Sequence, residues 1–180
     1  MSIKISNEYT LCQSCEYGDI EKIKQLLTED FSLFHKSRTS KKGRGNTPIH
    51  IACRYGHINI VKLFIEQYGV SIIYLKNEWK YNSLYEAIYW SQYECIKYLI
   101  KIEPNILCIN TGQSLLGVAC NIKDDKCVEI ILRYIDEIPQ DVKNLLGWLS
   151  GMGLQKSTRK LIEDWISLQE LDIKEPSVDE

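Results

Sequence analysis

The chain has 180 residues, 44% hydrophobic and 26% charged, a balance that fits one folded domain with ample material for a core. A formal net charge of −2 argues against a general binder of nucleic acid or of membrane surfaces, though not against a local charged patch. No apolar run approaches the roughly 20 residues of a bilayer span, and Met1 to Thr10, with Lys4 and Glu8, lacks the apolar centre of a secretory signal.

From the N-terminus, Leu11 to Leu27 reads as a helix pair broken at Gly18-Asp19, with Ile20, Ile23, Leu26 and Leu27 on the apolar face of its second helix. Cys12 and Cys15 stand at the spacing of a redox motif, but no strand–helix–strand context surrounds them, so packing is the expected role. The other cysteines are Cys53, Cys95, Cys108, Cys120 and Cys127. An odd total of seven without regular spacing predicts free thiols in a reducing compartment, hence an intracellular, cytoplasmic or nuclear protein. A basic stretch follows: Lys36, Arg38, Lys41, Lys42 and Arg44, with His35 as a lone histidine before it. It could contact an acidic ligand or nucleic acid, neutralise the acidic C-terminal tail, or simply be a solvated loop.

Gly45 to Glu66 is the most strongly patterned segment. Thr47 can cap a helix whose first position is Pro48, where no N–H is needed. Ala52 is small enough for close helix approach, Gly56 can take the left-handed conformation that ends the helix, and Ile60, Val61, Leu63, Phe64 and Ile65 supply the next helix with its buried face. The pattern returns as Asn82-Ser83-Leu84-Tyr85-Glu86-Ala87 followed by Cys95, Ile96, Tyr98, Leu99 and Ile100, and again as Ser114-Leu115-Leu116-Gly117-Val118-Ala119 followed by Cys127, Val128, Ile130, Ile131 and Leu132. Ala52, Ala87 and Ala119 lie 35 and 32 residues apart. Val142 to Ile166 keeps two helix-like patterns broken by Gly151 and Gly153, and beyond it the chain turns acidic.

Thr47-Pro48-Ile49-His50-Ile51-Ala52, with Gly56-His57 and Ile60-Val61 at the matching spacing, resembles the ankyrin repeat, whose signature is T-P-L-H-x-A and whose period is about 33 residues. The resemblance covers roughly residues 5 to 166 and is sharpest in the second repeat. It implies an all-α solenoid of stacked helix–turn–helix units joined by hairpin loops. The expected organisation is a single domain over 1–166, with repeats near 5–36, 42–76, 77–108 and 109–140, a capping repeat at 141–166, and an acidic, disordered tail over 167–180. His50 then has the family's place for tying its own turn to the next repeat.

The resemblance also implies a concave side built from hairpin tips and from the last residues of each first helix. In this register it carries Tyr17, Arg44, Asn46, Arg54, Tyr55, Trp79, Tyr81, Tyr89, Trp90 and Asn121. Large aromatics and arginines there are not needed for stacking and are the side chains that dominate binding hot spots. The expected function is therefore a scaffold or adaptor that binds another protein, the chain being monomeric alone. The alternatives are the basic stretch as an anion or nucleic-acid site, and a subunit of a larger assembly stabilised by a partner at its C-terminal end, a reading motivated by the missing signature after Val142 and by apolar Trp148 and Trp165. No phosphate loop, nucleophile elbow, metal-ligand spacing or paired-carboxylate motif is present, so neither enzyme activity nor a cofactor nor a metal is expected.

Overall fold

In the computed structural model, residues 7–38, 45–108, 114–147 and 154–172 are described. The described residues are 73% helical, with no strand among them. It divides into two compact units, Met1–Thr111 and Gly112–Glu180, where the sequence suggests a single domain.

The first unit contains three helix pairs. They are α1 (Asn7–Tyr17) with α2 (Ile20–Glu29), α4 (Pro48–Arg54) with α5 (Ile58–Tyr68), and α6 (Ser83–Tyr89) with α7 (Tyr93–Ile102). A short α3 (Leu33–Lys36) follows α2, and 3-10 turns at Val70–Tyr74 and Pro104–Cys108 follow α5 and α7. First helices pack on first helices, α1 on α4 and α4 on α6, and α5 meets α7. The sequence accounts for this: Ala52 and Ala87 are fully buried where α4 and α6 meet, and Ile60, Val61 and Phe64 close the second row. Leu63 and Ile65 are only half-buried.

Each first helix ends in a left-handed residue that reverses the chain into the second. Gly18 and Gly56 do this with φ of 79° and 75°, and Ser91 and Lys123 do it without being glycine. The next repeat covers the two glycines: a Cβ on Gly18 would meet the His57 ring, and one on Gly56 would meet the Gln92 amide. Asp19 and Asp124 cap the second helices by accepting from the backbone N–H groups of Lys22 and Cys127, each at 3.0 Å.

In the second unit, α8 (Leu115–Asn121) pairs with α9 (Asp125–Leu132), α10 (Gln140–Gly147) packs on α8, and α11 (Lys156–Asp172) packs on α9. Thr158 donates to the Asp125 carboxylate, and the Trp165 indole N–H donates to the Leu132 carbonyl at 2.8 Å. Trp165 is thus directed at α9 and half-buried. Helix α11 continues past residue 166 to Asp172, carrying part of the acidic segment in helical form. Trp148, Gly151, Gly153 and residues 173–180 lie outside the described residues.

Candidate functional site

His50 does what its register implies. Its Nε2 lies 2.9 Å from the Tyr81 carbonyl, which can only accept, so Nε2 carries the hydrogen. Nδ1 is then the acceptor facing the Thr47 hydroxyl at 2.8 Å and the Thr47 N–H at 3.4 Å. Burial holds this neutral ring at a pKa of about 4, against an ordinary 6.5. The bond to Tyr81 fixes the hairpin that carries Trp79 and Tyr81.

A buried polar network fixes the same hairpin from inside. The Asn77 amide oxygen accepts from the N–H groups of Trp79 and Tyr81, both at 3.0 Å. Its amide nitrogen donates to Asn46 at 2.7 Å and to Glu86 at 3.3 Å. Glu86 is fully buried, and Arg54 approaches its Oε2 with two guanidinium nitrogens, each at 3.0 Å. A buried carboxylate demands such partners, because an uncompensated charge in the interior costs several kcal/mol, about 3 or more.

On this floor lies a row of rings. Tyr81, Tyr85 and Tyr89 are spaced by four residues and stack nearly parallel, with centroids 3.6 and 6.0 Å apart. Trp79 meets Tyr81 edge-on at 6.1 Å, and Trp90 meets Tyr89 edge-on at 5.7 Å. The Arg54 guanidinium lies 5.6 Å over the Trp90 ring. Next to Arg54, Tyr55 donates to Glu16 at 2.7 Å, and the His57 Nε2–H donates to the Glu16 carbonyl at 2.9 Å. The side-chain bond to Glu16 is the main reason the Tyr55 phenol is raised above its ordinary range.

Of the residues expected on the binding side, Tyr17, Tyr55, Trp79, Tyr89 and Trp90 are exposed, and Tyr81 and Arg54 are half-buried. Exposure is 54% for Trp79 and 47% for Trp90, high for side chains of that size. Asn46 is a correction: it is 0% exposed and faces Asn77, because the hairpin folds its amide inward to satisfy a neighbouring buried amide. Asn121 is exposed at the end of α8 in the second unit, and Arg44 lies outside the described residues. The sequence reading missed Tyr85, Asn77 and Glu86. For Tyr85 a signal existed, since tyrosines precede and follow it at helical spacing.

The basic stretch is only partly described. Lys41 and Lys42 lie outside the described residues, as does the side chain of Lys36. Arg38 donates to the carbonyls of His35 and Ser37, at 2.9 and 2.7 Å. His35 is not a loop residue: it lies in α3, edge-on to Phe34 and Tyr68. Cys12 and Cys15 are buried, and burial raises both thiols, Cys12 to about 11, which is the opposite of a reactive pair.

Comparison with known proteins gives concordant results. The family profile described as "Ankyrin repeats (3 copies)" matches residues 11–110. A curated relative, the probable E3 ubiquitin-protein ligase XBOS32 of Oryza sativa subsp. japonica, is 27% identical over 146 residues. That match takes in 79% of this chain but only 28% of the ligase. Among solved structures, a chain from the complex of the yeast ribosomal protein Rps3 with its chaperone Yar1 superposes with a TM-score of 0.65 at 19% identity, covering 74% of this chain and 96% of that one. A chain from the complex of the Bd0816 predatory endopeptidase of Bdellovibrio bacteriovorus with immunity protein Bd3460 gives 0.55 at 25% identity, covering 76% and 65%.

Proposed function

Because this chain belongs to the ankyrin-repeat family, whose repeats are protein–protein interaction modules, we propose that it is an adaptor that docks a partner protein on the aromatic face of its first unit. The observation that carries the reading is the row Trp79–Tyr81–Tyr85–Tyr89–Trp90. Its rings contact one another, its two ends are exposed, and a buried polar network lies beneath it. A fixed aromatic surface loses little conformational entropy on binding and presents large apolar area with hydroxyl handles. The two solved structures compared above come from complexes of two proteins, in keeping with such a role. The fold is generally a non-catalytic binding scaffold, and the rice ligase match is confined to repeats.

The test is affinity capture with wild type and with Trp79→Ala/Trp90→Ala, accompanied by thermal melting. Hot-spot truncations cost about 2 kcal/mol or more each, so the double variant should lose partner binding by well over about 30-fold. Its melting should stay close to wild type. A variant that melts early, or one that keeps its partners, would refute the assignment.

A further inference from the structure

The charge of this face narrows the chemistry of its occupant. This step rests on the docking reading above. Where the first helices end, Arg54 contributes no net charge, because the buried Glu86 carboxylate neutralises it. At the hairpin end, Glu78 and Lys80 flank Trp79 with opposite signs. Glu16 is different. It is exposed, and among the described residues it has no cationic partner: its carboxylate accepts only the neutral Tyr55 hydroxyl, at 2.7 Å.

The rings around Glu16 suit the same ligand chemistry. Tyr17, its chain neighbour, is 75% exposed, the highest of the large exposed hydrophobics. Tyr55 remains a neutral phenol with its proton directed at Glu16, so its ring face keeps its negative quadrupole. Among the described residues, the guanidinium beside this face already lies over an aromatic ring, Arg54 over Trp90. A carboxylate flanked by exposed tyrosines attracts a guanidinium or ammonium through both charge and ring, and it repels an acidic segment.

We propose that the aromatic face receives a partner-protein segment bearing arginine or lysine, with that cation seated on Glu16 beside Tyr17 and Tyr55 and the segment's apolar part lying on the Tyr–Trp row. The probe is a phage-displayed library of random peptides selected on the full chain. Individual winners are then synthesised and titrated against wild type, Glu16→Gln, Tyr17→Leu and Trp79→Ala/Trp90→Ala, with melting curves as the folding control. The expected winners are enriched in arginine or lysine and weaken with added salt. They should lose about tenfold on Glu16→Gln, the scale of a close charge pair at an interface, while still depending on the tryptophans. Tyr17→Leu should weaken them too, since the ring is removed and apolar bulk is kept. Winners that need the tryptophans but lack cations and ignore Glu16→Gln would overturn this inference and leave the docking reading standing. Winners indifferent to the tryptophans, or no winners at all, would overturn both.

Discussion

Lowering the pH through the range 6.5 to 4 should remove about 3 kcal/mol of folding stability through His50 alone. The ring is fully buried, and its pKa in the folded chain is about 4 against 6.5 when solvated. Burial is the main cause; the hydrogen bond to the Tyr81 carbonyl opposes it, and the positive charges of Arg38 and Arg54 add to it. At about 1.36 kcal/mol per unit, the gap amounts to roughly 3 kcal/mol. The folded-state value is the lower one, so the unfolded chain takes up the proton first. Stability from this group is therefore complete above 6.5, falls as the pH drops toward 4, and is flat below that.

Hydrogen bonding at Nδ1 works in the same direction as burial. Nε2–H already donates to Tyr81, so a proton on Nδ1 would turn the Thr47 hydroxyl from donor to acceptor at 2.8 Å and set the longer Thr47 N–H contact, at 3.4 Å, donor against donor. Protonation would thus disturb the N-cap of α4 while leaving the Nε2–H bond to Tyr81 in place. The assay is urea unfolding at closely spaced pH values, for wild type and for His50→Gln. The variant should be less stable at pH 7 and have a much flatter profile, and the difference between the curves should trace the 6.5-to-4 window. Carboxylates, His35 and His57 are common to both proteins and cancel in that difference. Parallel curves would refute the argument, because they would mean that His50 titrates alike folded and unfolded.

Four further substitutions probe the turns and the interlocks between repeats. Gly56→Ala and Gly69→Ala both place a side chain at positive φ; at Gly56 the added Cβ also meets the movable end of the Gln92 side chain, while Gly69, at φ 81° and ψ 163°, has open space but a backbone that essentially only glycine adopts, so chemical denaturation should show about 1 kcal/mol or more for Gly56 and about 2 or more for Gly69. Gly117→Ala should destabilise the second unit although alanine favours helix by about 1 kcal/mol, since its methyl would displace the Asp141 carboxylate from its bonds to Ser114; calorimetry showing a higher melting temperature would contradict this. Arg54→Met should cost about 3 kcal/mol by stranding buried Glu86, and Arg54→Met/Glu86→Gln should recover at least half of it in the same unfolding assay.

The repeat pattern was legible because its signals are local. Thr47, Pro48, Ala52 and Gly56 each act within their own helix or turn, so their spacing alone places α4, and the period then places the end of every first helix. That is why Tyr17, Tyr55, Tyr89 and Trp90 emerge at the surface as the register implies. What escaped the sequence depends on partners a whole repeat away. Asn46 reads as a hairpin-tip residue, and its burial follows only once Asn77, 31 positions on, is brought against it. Glu86 reads as a solvated helix residue, yet Arg54, 32 positions earlier, makes its burial tolerable. Ser91 and Lys123 occupy a left-handed turn where a glycine would have announced it.

The divergent repeats also show how one structural task passes between unlike residues. In the second repeat His50 reaches out from its helix to the next hairpin. In the fourth, the equivalent position is Gly117, which has no side chain to extend. There Asp141 of α10 reaches in instead and accepts from both the N–H and the hydroxyl of Ser114, at 2.9 and 3.0 Å. The third repeat has Tyr85 at that position, and its ring joins the stack between Tyr81 and Tyr89. Loss of the histidine there leaves room for a continuous aromatic row, with the tether one repeat earlier holding that row's hairpin in place. Departure from the family signature and the continuity of the aromatic row, the proposed docking surface, therefore meet at the same residue. Tyr85→His should restore a consensus contact while interrupting the stack, which would weaken partner binding more than it changes the melting temperature. The opposite outcome, lost stability with intact binding, would show that the stack serves the fold alone.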